Sequence, residues 1–196
     1  MPVNRFFSGK RVDLEGLSSY FNNLDNRVRI SEARSLSAKE QALLFEAAKG
    51  FRPVGLSHFV PDSVAPMHQV IHYGRNSLPM FRIFEKRFCR PFKDDGTDLL
   101  WGYNEQPMKR FTGPGYFVVR QANELEVVID YCKVPPRRPP KWPKILPNSA
   151  RLSRFIYYQT QDYVRGVSEH VSIGRAARQG KPMDNWFVLC RDGSRT

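Results

Sequence analysis

GYFVVRQ at residues 115–121 and EVVIDYCKV at residues 126–134 are two runs of β-branched and aromatic residues parted by Ala122-Asn123-Glu124. Side chains of this kind suit a pleated strand, and a short polar gap between two such runs suits a tight turn, so the pair is expected to form an antiparallel hairpin. Both alternating faces of each run carry apolar residues. Strands of this type are covered on both sides, by helices or by the far wall of a barrel.

The same pattern extends in both directions. Upstream, Leu99 to Glu105 is a third strand, joined across the FTGPG turn at residues 111–115, and His68 to Tyr73 is a shorter one. Downstream, Glu169 to Arg178 and Asp184 to Arg191 form a hairpin across Gln179-Gly180-Lys181. The uninterrupted apolar run Trp186 to Cys190 predicts that the last strand is central.

Helical spacing dominates elsewhere. Leu14, Leu17, Phe21 and Leu24 recur on one face behind an Asp13 cap, and Ser37 with Glu40 makes a capping box ahead of a helix over residues 38–49. Phe51 to Pro66 holds Pro53, Gly55, Pro61 and Pro66, which predicts a loop crossing the surface. Met80, Phe81, Ile83, Phe84 and Phe88 fall on one helical face, which predicts a helix within residues 77–90. Leu152, Phe155, Ile156 and Tyr163 predict another over residues 150–165. Between them PPRRPPKWPKILP, residues 135–147, has too much proline for helix or central strand and is expected to run as a polyproline II connector. The fold class these readings give is α+β: a curved antiparallel sheet or partial barrel of about five or six strands packed with three or four amphipathic helices, in a single domain spanning residues 1–196.

Composition narrows the function classes. The 196 residues include 14 Phe, 8 Tyr and 3 Trp, too many aromatic side chains for a disordered polyelectrolyte. Neither a bilayer-spanning apolar stretch nor a secretory leader is visible, so a cytoplasmic protein is expected. Cys89, Cys132 and Cys190 are odd in number and far apart, which argues against a disulfide framework and predicts buried thiols. His68 and His72 stand four apart, as a metal pair would, but no third ligand has a motif spacing, and no metal or cofactor is expected. No nucleophile elbow, phosphate loop, dinucleotide fingerprint or RNA-binding signature is present, so no catalytic residue is assigned.

Two groups of residues exceed a purely structural expectation. The first is polar or amphipathic residues within strand-like apolar runs: His72, Arg75, Trp101, Tyr103, Asp130 and Tyr131. Buried groups of this kind need partners, and converging ones would line a pocket for a small, largely apolar ligand with an anionic head. Alternation puts Asp130 and Tyr131 on opposite faces, so at most one of them belongs to such a pocket. The second group is Arg137, Arg138, Lys141, Trp142 and Lys144 in the proline segment. The net charge of +12 is concentrated here: residues 133–196 hold 13 Lys/Arg against 4 Asp/Glu. That excess supports an alternative reading, a basic interaction protein contacting nucleic acid, anionic lipid or an acidic partner through residues 133–196. Trp142 is nevertheless expected to anchor the segment by docking on the sheet.

Overall fold

The hairpin at residues 116–130 is extended by antiparallel pairing on both sides until the sheet meets itself. The structure, a computed structural model, describes residues 2–79, 82–106, 113–148 and 157–193. A 3-10 turn (Val3–Phe6) leads to a two-residue hairpin, β1 (Phe7–Ser8) and β2 (Arg11–Val12), and then to helices α1 (Leu14–Asn22), α2 (Asn26–Ser35) and α3 (Ala38–Ala47). One helical turn, α4 (Leu56–Phe59), precedes β3 (Val70–Asn76), β4 (Ile83–Cys89), β5 (Leu99–Glu105), β6 (Tyr116–Gln121) and β7 (Glu126–Asp130). The last three strands are β8 (Thr160–Gly166), β9 (Val171–Arg178) and β10 (Lys181–Arg191). From β3 to β10 each strand pairs with the next, and β10 pairs back onto β3, Phe187 facing Asn76 and Arg191 facing His72. The result is a closed eight-stranded barrel.

The expected mixture of helices and strands is present, but the sheet has more strands than five or six and is fully closed. Two segments account for the difference. Residues 83–89 are strand, not helix: Phe84, Lys86 and Phe88 alternate with Ile83, Glu85 and Arg87, and the inward lysine disguises the period of two. Residues 160–166 are likewise strand, with Thr160, Asp162, Val164 and Gly166 buried. Of the rest of the expected helix over 150–165, residues 157–159 form a turn and residues 150–156 lie outside the described residues, as do Met80 and Phe81.

Other expectations agree with the structure. In α1, Asp13 accepts a hydrogen bond from Gly16 N at 3.0 Å, and α3 carries the full Ser37–Glu40 capping box. The β9–β10 turn is Gln179-Gly180, both with positive φ (52° and 76°), the geometry that matches the twist of a two-residue hairpin. α2 is new: its sequence, NRVRISEARS, is too polar to show an apolar stripe. It is held instead by packing on the barrel, with Arg29 and Ala33 buried and Arg34 donating to the Gly74 and Phe84 carbonyls. The segment expected to cross the surface, residues 51–66, instead enters one end of the barrel, where Val54, Phe59 and Val60 are buried. Cys89 and Cys190 are buried as expected, but Cys132 is exposed, because it follows the end of β7.

Closure sorts the apolar residues into two main layers. Val70, Phe88, Leu100, Phe117, Val119, Val127, Ile129 and Leu189 fill the interior together with Phe59. Val171, Ile173, Val188 and Cys190 point outward and are covered by Leu17, Phe21, Leu36 and Leu44 of the N-terminal helices and their linkers. Three inward glycines tune the interior. Gly74 faces Phe84 across the β3–β4 pairing, Gly102 faces Phe117 across β5–β6, and Gly174 faces Phe187 across β9–β10. Each phenylalanine ring lies down over its glycine, so that a Cβ there would come within 2.5, 2.2 and 2.2 Å of the ring. Glycine opposite an aromatic residue is a known way to let the ring flatten on the barrel wall.

Gly102 is the most constrained of the three, because the added Cβ would also meet the Arg87 backbone oxygen at 2.6 Å. Gly102→Ala is therefore expected to destabilise the fold by about 1–3 kcal/mol, measured by chemical denaturation. A change within a few tenths of a kcal/mol would show that the ring and strand relax freely.

Candidate functional site

The two ends of the barrel differ. At the end where β3 begins, α4 acts as a plug: Phe59 packs against Phe88 at 5.1 Å and against His72 at 5.3 Å. At the opposite end the interior opens into a cavity of about 360 Å³, whose lining includes Asn76, Leu78, Phe84, Tyr157, Ala176, Met183 and Phe187. Its floor is polar. Lys86 reaches in from β4, Asn104 from β5, Asp162 from β8 and Tyr131 from just beyond β7.

The four groups form one network. Lys86 Nζ donates to Asn104 Oδ1 at 3.1 Å, to Asp162 Oδ2 at 3.2 Å and to the Tyr131 hydroxyl. Asn104 Nδ2 donates to the Tyr131 hydroxyl at 3.0 Å and to the Gly115 carbonyl at 3.2 Å. The ammonium also lies 4.9–5.6 Å from the centroids of the Phe84, Phe117, Tyr131 and Phe187 rings, a cation–π cage built partly from the phenylalanines that lie over glycines. The Lys86 and Asp162 side chains are 3% and 7% exposed. Burial draws the Lys86 pKa down and pushes the Asp162 carboxyl up, each opposed by the charge of the other. Burial also raises the Tyr131 phenol well above its ordinary value. Above the floor, Gln106 donates to the Tyr157 hydroxyl at 3.0 Å, and the Tyr157 ring stacks on Tyr131 at 5.1 Å.

Of the six residues expected to share a pocket, only Tyr131 lines this cavity. His72 is inside the barrel but at the plugged end, with Nε2 3.0 Å from the Phe59 carbonyl oxygen. Desolvation lowers its pKa to about 3. Arg75 points outward and donates to the Arg34 carbonyl at 2.6 Å. Trp101 and Tyr103 are also on the outer face, buried with Tyr116 and Val118 beneath Trp142. Tyr103 donates to Glu105, and burial pushes its pKa to about 12. Asp130 faces out and accepts from Cys132 N at 2.9 Å. Strand parity separates these side chains, and register along the barrel separates His72 from Tyr131.

Lys86, Asn104, Asp162 and Tyr157 were not among the expected residues. The usable signal was parity: Asn104 shares the face of Leu100 and Gly102, and Lys86 sits between Phe84 and Phe88. The helical readings of residues 77–90 and 150–165 concealed it for Lys86 and Asp162.

The proline segment is docked as expected. Trp142 is 4.9 Å from Tyr103, and its Nε1 donates to Gln69 at 2.9 Å. Arg137 pairs with Asp95 at 2.8 Å, and Arg138 ties the strap together by donating to the Pro140 and Trp142 carbonyls, while Lys141 and Lys144 are exposed. Other basic residues of the C-terminal third are distributed over the barrel: Arg165 pairs with Glu126, Arg175 with Asp184 and Glu46, and Arg191 donates to the Ser57 and His58 carbonyls. Comparison with protein-family models, curated proteins and solved structures finds no match for the chain.

Two outcomes follow from the buried groups. Lys86→Met should cost about 3–5 kcal/mol by leaving Asp162 uncompensated, while Lys86→Met with Asp162→Leu should recover most of that loss. A double-mutant cycle by urea denaturation that found the two changes additive would mean that they are not coupled. His72, neutral when folded, has a pKa below the ordinary value of about 6.5 that it regains on unfolding. The unfolded chain therefore binds the extra proton, and stability is lost as pH falls from about 6.5 toward 3. Between pH 6.5 and 5.5 the loss attributable to His72 should be about 1 kcal/mol, and His72→Gln, which retains a donor for the Phe59 carbonyl, should show a correspondingly flatter pH dependence.

Proposed function

We propose that the protein binds one small, largely apolar molecule in the cavity at the end of its barrel opposite α4, with a polar head directed to the Lys86–Asp162 floor. The observation that carries this reading is the cavity of about 360 Å³, with aromatic walls and a single cluster of buried polar side chains at its base. Ligand sites generally fall within about 300–1,000 Å³ and combine apolar walls with a few convergent polar groups. An eight-stranded barrel leaves an interior just wide enough for side chains or one small ligand. Here the glycines flatten three rings against the wall and help to leave space.

The charge of the floor bears on the head group. An ammonium has three N–H donors, and all three of Lys86 are taken by Asn104, Tyr131 and Asp162. Asp162 moreover offsets the lysine charge and would repel an anion. A neutral oxygen head, such as an alcohol, ketone or aldehyde, fits this floor better than the anionic head expected from the sequence, since Arg75 points outward from the barrel. A wider groove of about 950 Å³ runs along the outer wall between residues 63–71 and the proline strap. It has no buried ion pair of this kind, which favours the interior.

Thermal-shift measurements with octanol, naphthalenemethanol and octanoate test the proposal. Saturating a neutral ligand at about 100 times its dissociation constant should add about 2.7 kcal/mol of stability, with octanoate giving less than octanol. Ala176→Phe, which fills the cavity from β9, should abolish the response. No stabilisation by any neutral probe, or an unchanged response in Ala176→Phe, would overturn it.

A further inference from the structure

We propose that Lys86 binds an aldehyde ligand covalently, as a protonated imine whose counter-ion is Asp162. The inference rests on the cavity being a ligand site and extends it by naming the ligand class and the bond. Among the described residues Lys86 is the one buried lysine; Lys10, Lys39, Lys49, Lys93, Lys133, Lys141, Lys144 and Lys181 are all exposed. Its Nζ stands on the floor of the cavity, where a carbonyl head would rest against it.

Imine formation needs an uncharged amine, an acid for the departing oxygen and a counter-ion for the product. All three are within one network. Proton transfer from Lys86 to Asp162 releases the amine lone pair. Burial favours this exchange, because it brings the two proton affinities toward each other. The amine adds to the aldehyde carbon, forming the C–N bond as the C=O π pair moves onto oxygen. Asp162, with its acquired proton, supplies that oxygen directly or through Tyr131. The nitrogen then gives one proton to the hydroxyl, the C–O bond breaks as the nitrogen lone pair forms the C=N bond, and water leaves. The balance is Lys–NH₃⁺ plus R–CHO giving Lys–NH⁺=CHR plus H₂O, with Asp162 again a carboxylate.

The product also suits the site. The charge is conserved, so Asp162 and the rings of Phe84, Phe117, Tyr131 and Phe187 still face a cation. An imine nitrogen keeps one N–H for Asp162 and gives up its bonds to Asn104 and Tyr131. Those two groups remain satisfied, because the Tyr131 hydroxyl stands 3.3 Å from Asn104 Oδ1 and accepts from Asn104 Nδ2 at 3.0 Å.

The test uses the full chain with naphthaldehyde, which cannot enolise or undergo conjugate addition, and naphthalenemethanol as its non-reacting analogue. Cyanoborohydride at neutral pH reduces an imine to a stable secondary amine, located by intact mass and peptide mapping. The expected result is one adduct per chain at Lys86, the amine that stands in the cavity where the aldehyde binds. Naphthalenemethanol in excess should suppress it. The paired variant Lys86→Met/Asp162→Asn, which avoids a lone buried charge, should lose the adduct, and Ala176→Phe, which fills the cavity, should lose both the adduct and binding of the alcohol. If the alcohol stabilises the protein but the label spreads over other amines and spares Lys86, the covalent step is overturned and the cavity reading stands. If neither compound binds, both fail.

Discussion

The pairing of β10 with β3 closes the sheet, and closure gives every residue of the eight strands a definite inside or outside. No strand edge is left to protect, so the barrel needs neither charged edges nor covering loops along its seam. It also means that a polar residue at an inward position has no route to water except through the barrel ends. Lys86, Asn104 and Asp162 are such residues, drawn from three different strands, and together with Tyr131 they satisfy one another inside the barrel.

The interior is consequently zoned along its axis. At one end α4 inserts Phe59 against His72 and Phe88, and the segment before β3 replaces solvent with side chains. Toward the other end Gly74 and Gly174 accept the Phe84 and Phe187 rings that line the cavity, while Gly102, opposite Phe88, accepts the Phe117 ring. The same rings surround the Lys86 ammonium, so the features that create space also offset part of the cost of burying a charge. Asp162 offsets more of it, and the Asn104–Tyr131 pair orients what remains. A buried ion pair of this type adds little net stability compared with an apolar core, and its value lies in the site it places within the cavity.

Most of the barrel was legible in the chain because period-two alternation is local. The strands at residues 99–105, 116–121 and 126–130, and the final hairpin, follow from runs of Val, Ile, Phe and Tyr broken by short polar turns. β4 and β8 did not follow, for a shared reason. Each has a charged residue facing inward, and a lysine between two phenylalanines reads as the solvent face of a helix when no partner is known. The polar α2 was hidden for the opposite reason, since its stability comes from contacts with the barrel and not from an apolar stripe of its own.

The sequence by itself determined six of the eight barrel strands, the capped helices, the strap anchored by Trp142 and the division of Asp130 from Tyr131, because each depends on neighbours within a few residues. Only the tertiary structure decided which polar residues share a site. His72 and Tyr131 both face inward, yet they lie at opposite ends of the barrel, while Lys86 and Asp162, 76 residues apart, are in contact. Parity specifies the face on which a side chain stands. Its height within the barrel depends on register summed over every strand between, and that sum is set by packing and closure, not by any local pattern.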